Sequence, residues 1–385
     1  MELTLFRQNP WWSSSFNDTS IKRESYLEKL KSQIKTKEIV FLTGLRRVGK
    51  TTLIHQVIDY LINEKRENPK NILFVTLDDL NFNNKTIFEI VEKYREINNI
   101  KFNEFFYLFL DEITFIENFE QQLKNLYDSW NVKVFTSSSI ASFLNDKKAL
   151  LTGRTYTIEI LPLNFQEYLK FKNIQLNKFD STINKKIFED YMKSGGIPNY
   201  VLNEDENYIT ELINSIIYKD IIALYGISDE KTVKELLRLL CQRIGKPTSY
   251  NKLAKILKIS DVTVKKYISY FEKAFLFYSI EKYSRSVNEN ITSPKKFYIA
   301  DLGIKNVISE NKEKGADFEN LVFLNIKNEN PHYYLKDGIE IDFVTKDKLI
   351  ESKYYLELNE KQEKLFNSIK RKEKIIAKDY SFFLL

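Results

Sequence analysis

Gly44-Leu45-Arg46-Arg47-Val48-Gly49-Lys50-Thr51 meets every fixed position of the phosphate-loop pattern G-x-x-x-x-G-K-[ST]. Directly before it, Glu38-Ile39-Val40-Phe41-Leu42-Thr43 is a short apolar run of β-formers. After it, Thr52 to Ile62 carries apolar residues at helical spacing. Strand, glycine loop and helix in that order is the context in which the pattern has a mechanism. Gly44 and Gly49 let the backbone close around a phosphate. Successive N–H groups from Arg46, Arg47, Val48, Gly49, Lys50, Thr51 and Thr52, at the start of a helix, favour negative charge there. Lys50 is expected to reach the β- and γ-phosphates of ATP, and the Thr51 hydroxyl to ligate Mg²⁺.

Working outward, Asn71 to Leu77 and Phe105 to Leu110 are two more apolar strands, and the second closes on Asp111-Glu112. A strand ending in a carboxylate pair about 60 residues after a phosphate loop is expected to hold Mg²⁺ through Asp111 and to polarise the attacking water through Glu112. Val132 to Thr136 is a further strand, ending in Ser137-Ser138-Ser139. A hydroxyl there, with Ser138 as the candidate, is placed to sense the γ-phosphate, although a serine run is equally ordinary turn chemistry. Strands alternating with helical segments imply a parallel sheet covered on both faces, with ligands at the carboxyl ends of the strands. All three motifs fall at such ends.

The bulk numbers agree with a multidomain globular chain. It has 385 residues, 43% hydrophobic and 14% aromatic, so two to four domains with real cores are expected. No apolar run approaches a membrane span, no signal pattern opens the sequence, and the single Cys241 excludes an internal disulfide, so a cytoplasmic location and no membrane partner are expected. Two histidines leave no material for a zinc cluster. The net charge is +6, but residues 231–300 carry 15 Lys/Arg against 5 Asp/Glu, so the positive charge is concentrated in one segment.

That segment has its own pattern. Thr232 to Ile244 is amphipathic, Tyr250 to Leu257 is a second helix, and a third, capped by Asp261, runs to about Phe275. Short helices joined by a tight turn mark a helix-turn-helix. Val262, Thr263, Lys265, Lys266 and Tyr267 are expected to face a major groove, with Phe275 to Ile280 and Lys296 to Ile299 pairing as a wing. DNA is the expected partner, and protein contact is the competing use of such units. Upstream, residues 171–230 read as a helical lid in which Asp220 has two readings, a reporter of nucleotide state or, favoured, a helix-surface carboxylate. The Trp11-Trp12 pair has two readings, packing beside adenine or anchoring the N-terminal arm.

At the C-terminal end, Ala316 to Ile326 reads as a helix, and Gly338 to Val344 and Lys348 to Lys353 as strands. Asp342, Glu351 and Lys353 follow the spacing D…E-x-K. Glu351 and Lys353, two residues apart, project from one sheet face, where Asp342 can join them. Two carboxylates with Glu319 from the helix are expected to bind Mg²⁺, and the lysine to orient or deprotonate water for phosphodiester cleavage. E-x-K on an exposed strand is also common without any such role.

The phosphate loop with its Arg-Arg pair, Asp111-Glu112, the serine triplet, Leu151-Thr152-Gly153-Arg154, Leu161 to Leu169 and Gly195-Gly196-Ile197-Pro198 together resemble the AAA+/STAND-type ATPases of archaea and bacteria. The resemblance implies a P-loop NTPase core with a parallel sheet, a helical lid, a winged helix and a C-terminal α/β domain of the restriction-endonuclease type. It places Pro198 near the adenine, sets Arg154 where an arginine finger would act, and is compatible with a homo-oligomer. A local ion pair is the other reading of Arg154. The expected divisions are an arm (1–36), an ATPase core (37–170), a lid (171–230), a winged helix (231–290) and a nuclease-like domain (291–385). Together these features imply an ATPase coupling ATP/ADP state to DNA engagement, with Mg²⁺-dependent cleavage as an added activity. The alternative is an ATP-dependent regulatory switch whose terminal domains dock a protein partner.

Overall fold

Runs rich in Ile, Val, Leu and Phe, buried along nearly their whole length, build the first of two units of a computed structural model that describes residues 1–141, 148–177, 179–284, 286–309 and 313–384. The units are Met1–Ile160 and Leu161–Leu385. In the first, short helices α1 (Glu2–Gln8) and α2 (Glu24–Ser32) precede strand β1 (Ile39–Thr43) and helix α3 (Lys50–Asp59), which continues as a π-helical turn, Tyr60–Glu64. Then follow β2 (Ile72–Thr76), α4 (Ile87–Asn98), β3 (Phe106–Asp111), α5 (Phe119–Ser129), β4 (Val132–Ser138) and β5 (Thr155–Glu159).

The five strands are parallel in the order β2-β3-β4-β1-β5. The β1 strand therefore carries the glycine loop next to β4, and β4 separates it from the acidic end of β3. Parallel strands covered by helices on both faces must be apolar throughout, which is why β1 and β3 have no exposed position. The Trp11-Trp12 pair serves as an anchor: both rings are buried and both indole N–H groups donate to the Ile72 carbonyl at the start of β2, at 3.1 and 2.9 Å. Asn9 adds a bidentate clasp on Phe74, accepting from its N–H and donating to its carbonyl.

The second unit begins with helices α6 (Phe165–Phe171), α7 (Ser181–Ser194), α8 (Pro198–Asn203) and α9 (Glu206–Ser215), the last running into a π-helical turn, Ile216–Ala223. Asp220 sits on that turn and is buried, not on a helix surface, because the wider π turn rotates it inward among Ile216, Ile217 and Ile221. Three helices follow, α10 (Glu230–Cys241), α11 (Tyr250–Leu257) and α12 (Asp261–Lys273), then the antiparallel pair β6 (Phe277–Ile280) and β7 (Lys296–Ile299), flanking the short helix α13 (Val287–Thr292). Ser260, one residue earlier than expected, caps α12 by accepting from the Thr263 N–H, which leaves Asp261 as the first helical residue.

Helices α14 (Leu302–Ile308) and α15 (Lys314–Ile326) lead into β8 (His332–Lys336), β9 (Ile339–Val344), β10 (Lys348–Ser352), α16 (Glu360–Ser368) and β11 (Glu373–Ala377). The sheet order is β11-β10-β9-β8, an antiparallel meander with β11 added parallel to β10 across α16. Ile341, Val344, Leu349 and Phe366 pack together as a core cluster, and Asp342 and Glu351, each two residues from Val344 and Leu349, lie on the same side of β9 and β10 as those two. Among the described residues no helix is long and apolar enough to cross a membrane.

Candidate functional site

The glycine loop of the first unit needs glycine at its first position. Gly44 has φ +136°, and a Cβ there would lie 2.2 Å from the Ile160 carbonyl oxygen. Gly49, at φ +96°, precedes α3 in the left-handed region with open space around it. Behind the loop, the buried guanidinium of Arg23 donates to the Val48 carbonyl at 3.0 Å, a contact with no local sequence signal. The Lys50 ammonium donates to the carbonyls of Gly44 (2.9 Å) and Leu45 (3.0 Å), which turns it over the loop it would serve.

Three elements converge on Asp111. Thr51, from the first turn of α3, donates to one carboxylate oxygen at 2.7 Å, and Ser137, from the end of β4, donates to the other. Ser137 also accepts from the Glu112 N–H at 3.0 Å, so one hydroxyl ties both acids to the neighbouring strand. Glu112 adopts the left-handed conformation at φ +53°, uncommon for a branched-free acidic residue outside turns, and its carboxylate accepts from the Ser139 N–H and hydroxyl at 3.3 and 3.1 Å. Burial pushes the Asp111 carboxyl up, while the bonds from Ser137 and Thr51 and the nearby Lys50 pull it back.

Within the first unit, then, Lys50, Thr51, Asp111 and Glu112 meet at one end of the sheet. The serine triplet divides its work differently from expectation: among the described residues Ser138 bonds the Ile140 backbone alone, and its neighbours Ser137 and Ser139 hold the acids. Alternation along β4 explains this, since residues two apart share a face. The donor set of a threonine hydroxyl and a carboxylate, both hard oxygens, fits Mg²⁺. Arg154 forms a forked pair with Asp128 of α5 (3.1 and 3.4 Å) and lies over the Tyr127 ring, the local ion pair of the two readings.

In the second unit, Gly195-Gly196-Ile197-Pro198 is clamped. The buried Asp301 carboxylate accepts from the Gly196 N–H at 2.6 Å, and a Cβ on Gly196 would meet the Leu163 carbonyl at 2.2 Å. Burial lifts the Asp301 carboxyl to about 6 against those backbone donors. Pro198 is the first residue of α8, where its missing N–H costs nothing. On α12, Val262, Lys265 and Lys266 are exposed and Thr263 is half-buried, but Tyr267 is buried beside Tyr270 and does not join the outward face, because it falls on the apolar stripe with Val264 and Phe271.

The C-terminal carboxylates are brought together with an unforeseen partner. Asp342 accepts from the Ser352 N–H (2.9 Å) and hydroxyl (2.6 Å), and its own N–H donates to Glu351 at 3.0 Å. Lys353 pairs with the other Glu351 oxygen at 2.9 Å, and Gln362 donates to it at 3.2 Å. Glu319 accepts from the Tyr298 hydroxyl at 2.7 Å. Between Glu319 and Asp342 lies the ammonium of Lys296, and Glu340 meets it too. Burial opposes charge on Lys296, but Glu319, Asp342 and Glu340 outweigh it and hold its pKa well above the ordinary lysine value. Burial and the Asp342 charge push Glu319 up to about 7 and Glu351 to about 8. Lys296 and Tyr298 left one sequence signal: a lysine and a tyrosine at alternate positions of an apolar strand.

Residues 36–169 match the model of a family described as an AAA domain, and residues 185–315 match one described as a domain of unknown function. An uncharacterized protein of Methanocaldococcus jannaschii is 32% identical over 352 residues, covering 84% of this chain and 74% of its own. An uncharacterized protein of Haemophilus influenzae is 28% identical over 342 residues, covering 85% and 84%. Among solved structures, Cdc6p from Pyrobaculum aerophilum is similar at 12% identity and a TM-score of 0.35, over 84% of this chain and 98% of that one. AMPPCP-bound DnaA from Aquifex aeolicus is similar at 18% identity and a TM-score of 0.30, over 66% and 89%. Likeness at that level does not extend to what either protein binds.

Proposed function

This chain belongs to one family with the Methanocaldococcus jannaschii relative and carries an AAA domain of the P-loop ATPase kind over residues 36–169, and from that premise we propose that it hydrolyses ATP and uses the nucleotide state to govern its hold on DNA. The observation that carries the hydrolytic part is the hydrogen-bonded link from Thr51 through Asp111 to Ser137 and Glu112. The loop N–H groups and Lys50 would bind the phosphates, and Thr51 and Asp111 would hold Mg²⁺. That ion, when bound, neutralises charge on the β- and γ-phosphates. Glu112, oriented by Ser139 and by its own N–H bond to Ser137, takes the proton of the attacking water. Arg154, held by Asp128, is left out of this chemistry.

DNA engagement falls to the helix-turn-helix formed by α11 and α12, with β6–β7 as its wing, and to the nuclease-like C-terminal sheet. Support comes from the outward Val262, Lys265 and Lys266 and from the local excess of Lys and Arg. Two measurements test the reading. Lys50→Ala abolishes phosphate release from ATP in a folded protein; full turnover in that variant refutes the loop assignment. Fluorescence anisotropy of labelled duplex DNA, with ATP and with ADP, shows nucleotide-dependent binding whose logarithmic salt slope is about −0.9 per phosphate contact. A flat salt response instead supports the second reading, a switch that docks a protein partner, which the neutralised carboxylates of the terminal sheet favour.

A further inference from the structure

A carboxylate set with D…E-x-K spacing binds a divalent ion only if its oxygen lone pairs face one open point, where such an ion takes about six oxygen ligands. Here they face donors of the chain itself. Both oxygens of Asp342 are engaged, one by Lys296 and the other by Ser352. Both oxygens of Glu351 are engaged, by the Asp342 N–H on one side and by Lys353 and Gln362 on the other. One Glu319 oxygen accepts from both Lys296 and Tyr298. The Lys296 ammonium lies 2.9 Å from Glu319, 2.6 Å from Glu340 and 3.2 Å from Asp342, with its side chain 0% exposed. Among the described residues no group of three or more His, Cys, Asp or Glu side chains is arranged to hold a metal ion.

Lys296 is also fixed from the backbone. It is the first residue of β7 and is paired with Ile280 in the β6–β7 register, so the ammonium is delivered by a strand and not by a loose loop. One buried ammonium among three carboxylates, one of which also accepts from the Tyr298 hydroxyl, has the composition of an occupied cation site. We propose that Lys296 is the resident cation of this site: its ammonium stands where a divalent ion would have to sit, and the terminal sheet is complete without metal. The expected Mg²⁺ ligands Glu319, Asp342 and Glu351 therefore do not fit that ion in this arrangement, and metal-dependent strand cleavage by them has no place in it. The inference rests on reading Asp342, Glu351 and Lys353 as a nuclease-like set, and it is independent of whether the chain binds ATP or DNA.

The test is thermal melting of the nucleotide-free, full-length protein in EDTA and in millimolar Mn²⁺. The native protein melts at the same temperature in both. Lys296→Met leaves three carboxylates uncompensated, so it is paired with Glu340→Gln to remove one charge along with the ammonium. The double variant gains a Mn²⁺-dependent rise of roughly 5 °C, which adding Asp342→Asn removes. Folding of the single or double variant only when Mn²⁺ is supplied counts as the same result. A Mn²⁺ response of the native protein that is lost in Asp342→Asn but kept in Asp111→Asn overturns the proposal, because metal then binds with the lysine in place. It is also overturned if the Lys296 variants show no Mn²⁺ response or stay unfolded with Mn²⁺; the cluster is then an ion-pair network and not a cation site.

Discussion

Replacing Ser137 by alanine isolates the contribution of one hydroxyl to the acidic pair. The hydroxyl donates to Asp111 and accepts from the Glu112 N–H at 3.0 Å, both within the end of the sheet where Asp111 is buried. A hydrogen bond to a charged group contributes about 1.5–3 kcal/mol. If that loss falls on the hydrolytic transition state, kcat drops about 10- to 100-fold, since about 1.4 kcal/mol is one factor of ten. The same change has a pH signature. Burial already raises the Asp111 carboxyl and the Ser137 bond lowers it, so without that bond the carboxyl rises further. Asp111 is then protonated at higher pH, and the acid limb of the rate profile moves upward. Ser138→Ala is the control, because its hydroxyl bonds the Ile140 backbone and, among the described residues, neither acid. Phosphate release is measured from about pH 4, near the ordinary carboxylate value, upward for both variants, with fluorescent-nucleotide binding and circular dichroism as checks on folding. A Ser137→Ala rate within about twofold of native, or an equal loss in Ser138→Ala, refutes the reasoning.

Gly44→Ala forces a Cβ to within 2.2 Å of the Ile160 carbonyl oxygen at φ +136°, so it costs backbone strain plus displacement of β5's exit. Melting should fall by several degrees and nucleotide binding should be lost, whereas Gly49→Ala, with open space, carries only the strain of about 1–3 kcal/mol. In the terminal sheet, Glu319 has a folded pKa of about 7 against an ordinary 4.5. The native state binds the extra proton between those values, so stability is present at the acid end of that window and is lost as pH rises through it. Melting from pH 4.5 to 8 should therefore fall less steeply in Glu319→Gln than in the native protein; parallel slopes contradict the assignment.

Legibility varied with how local the cause was. The glycine loop, the acidic pair and the strands Ile39–Thr43 and Phe106–Asp111 were readable, because each is set by consecutive residues. The edge strand Thr155–Glu159 was not: its Thr, Tyr and Glu positions are partly exposed and mimic loop composition, and only pairing with β1 makes it a strand. Tyr267 was assigned outward from its place early in α12, yet the helical phase set by Val264, Ile268 and Phe271 turns it in. The choice among Ser137, Ser138 and Ser139 depended on strand alternation and on which strand lies beside β3.

Residue order alone determined the phosphate loop, the acids that answer it and the spacing of Asp342, Glu351 and Lys353, since these chemistries are written in short runs. Only the tertiary structure decided which hydroxyls hold the acids and which cation fills the terminal carboxylates. Sheet order placed β4 between β1 and β3, and packing between two separate sheets brought Lys296 to Asp342, 46 residues away in sequence. Hydrogen bonds and ion pairs act over about 3 Å, and distance along the chain does not foretell which side chains come that close.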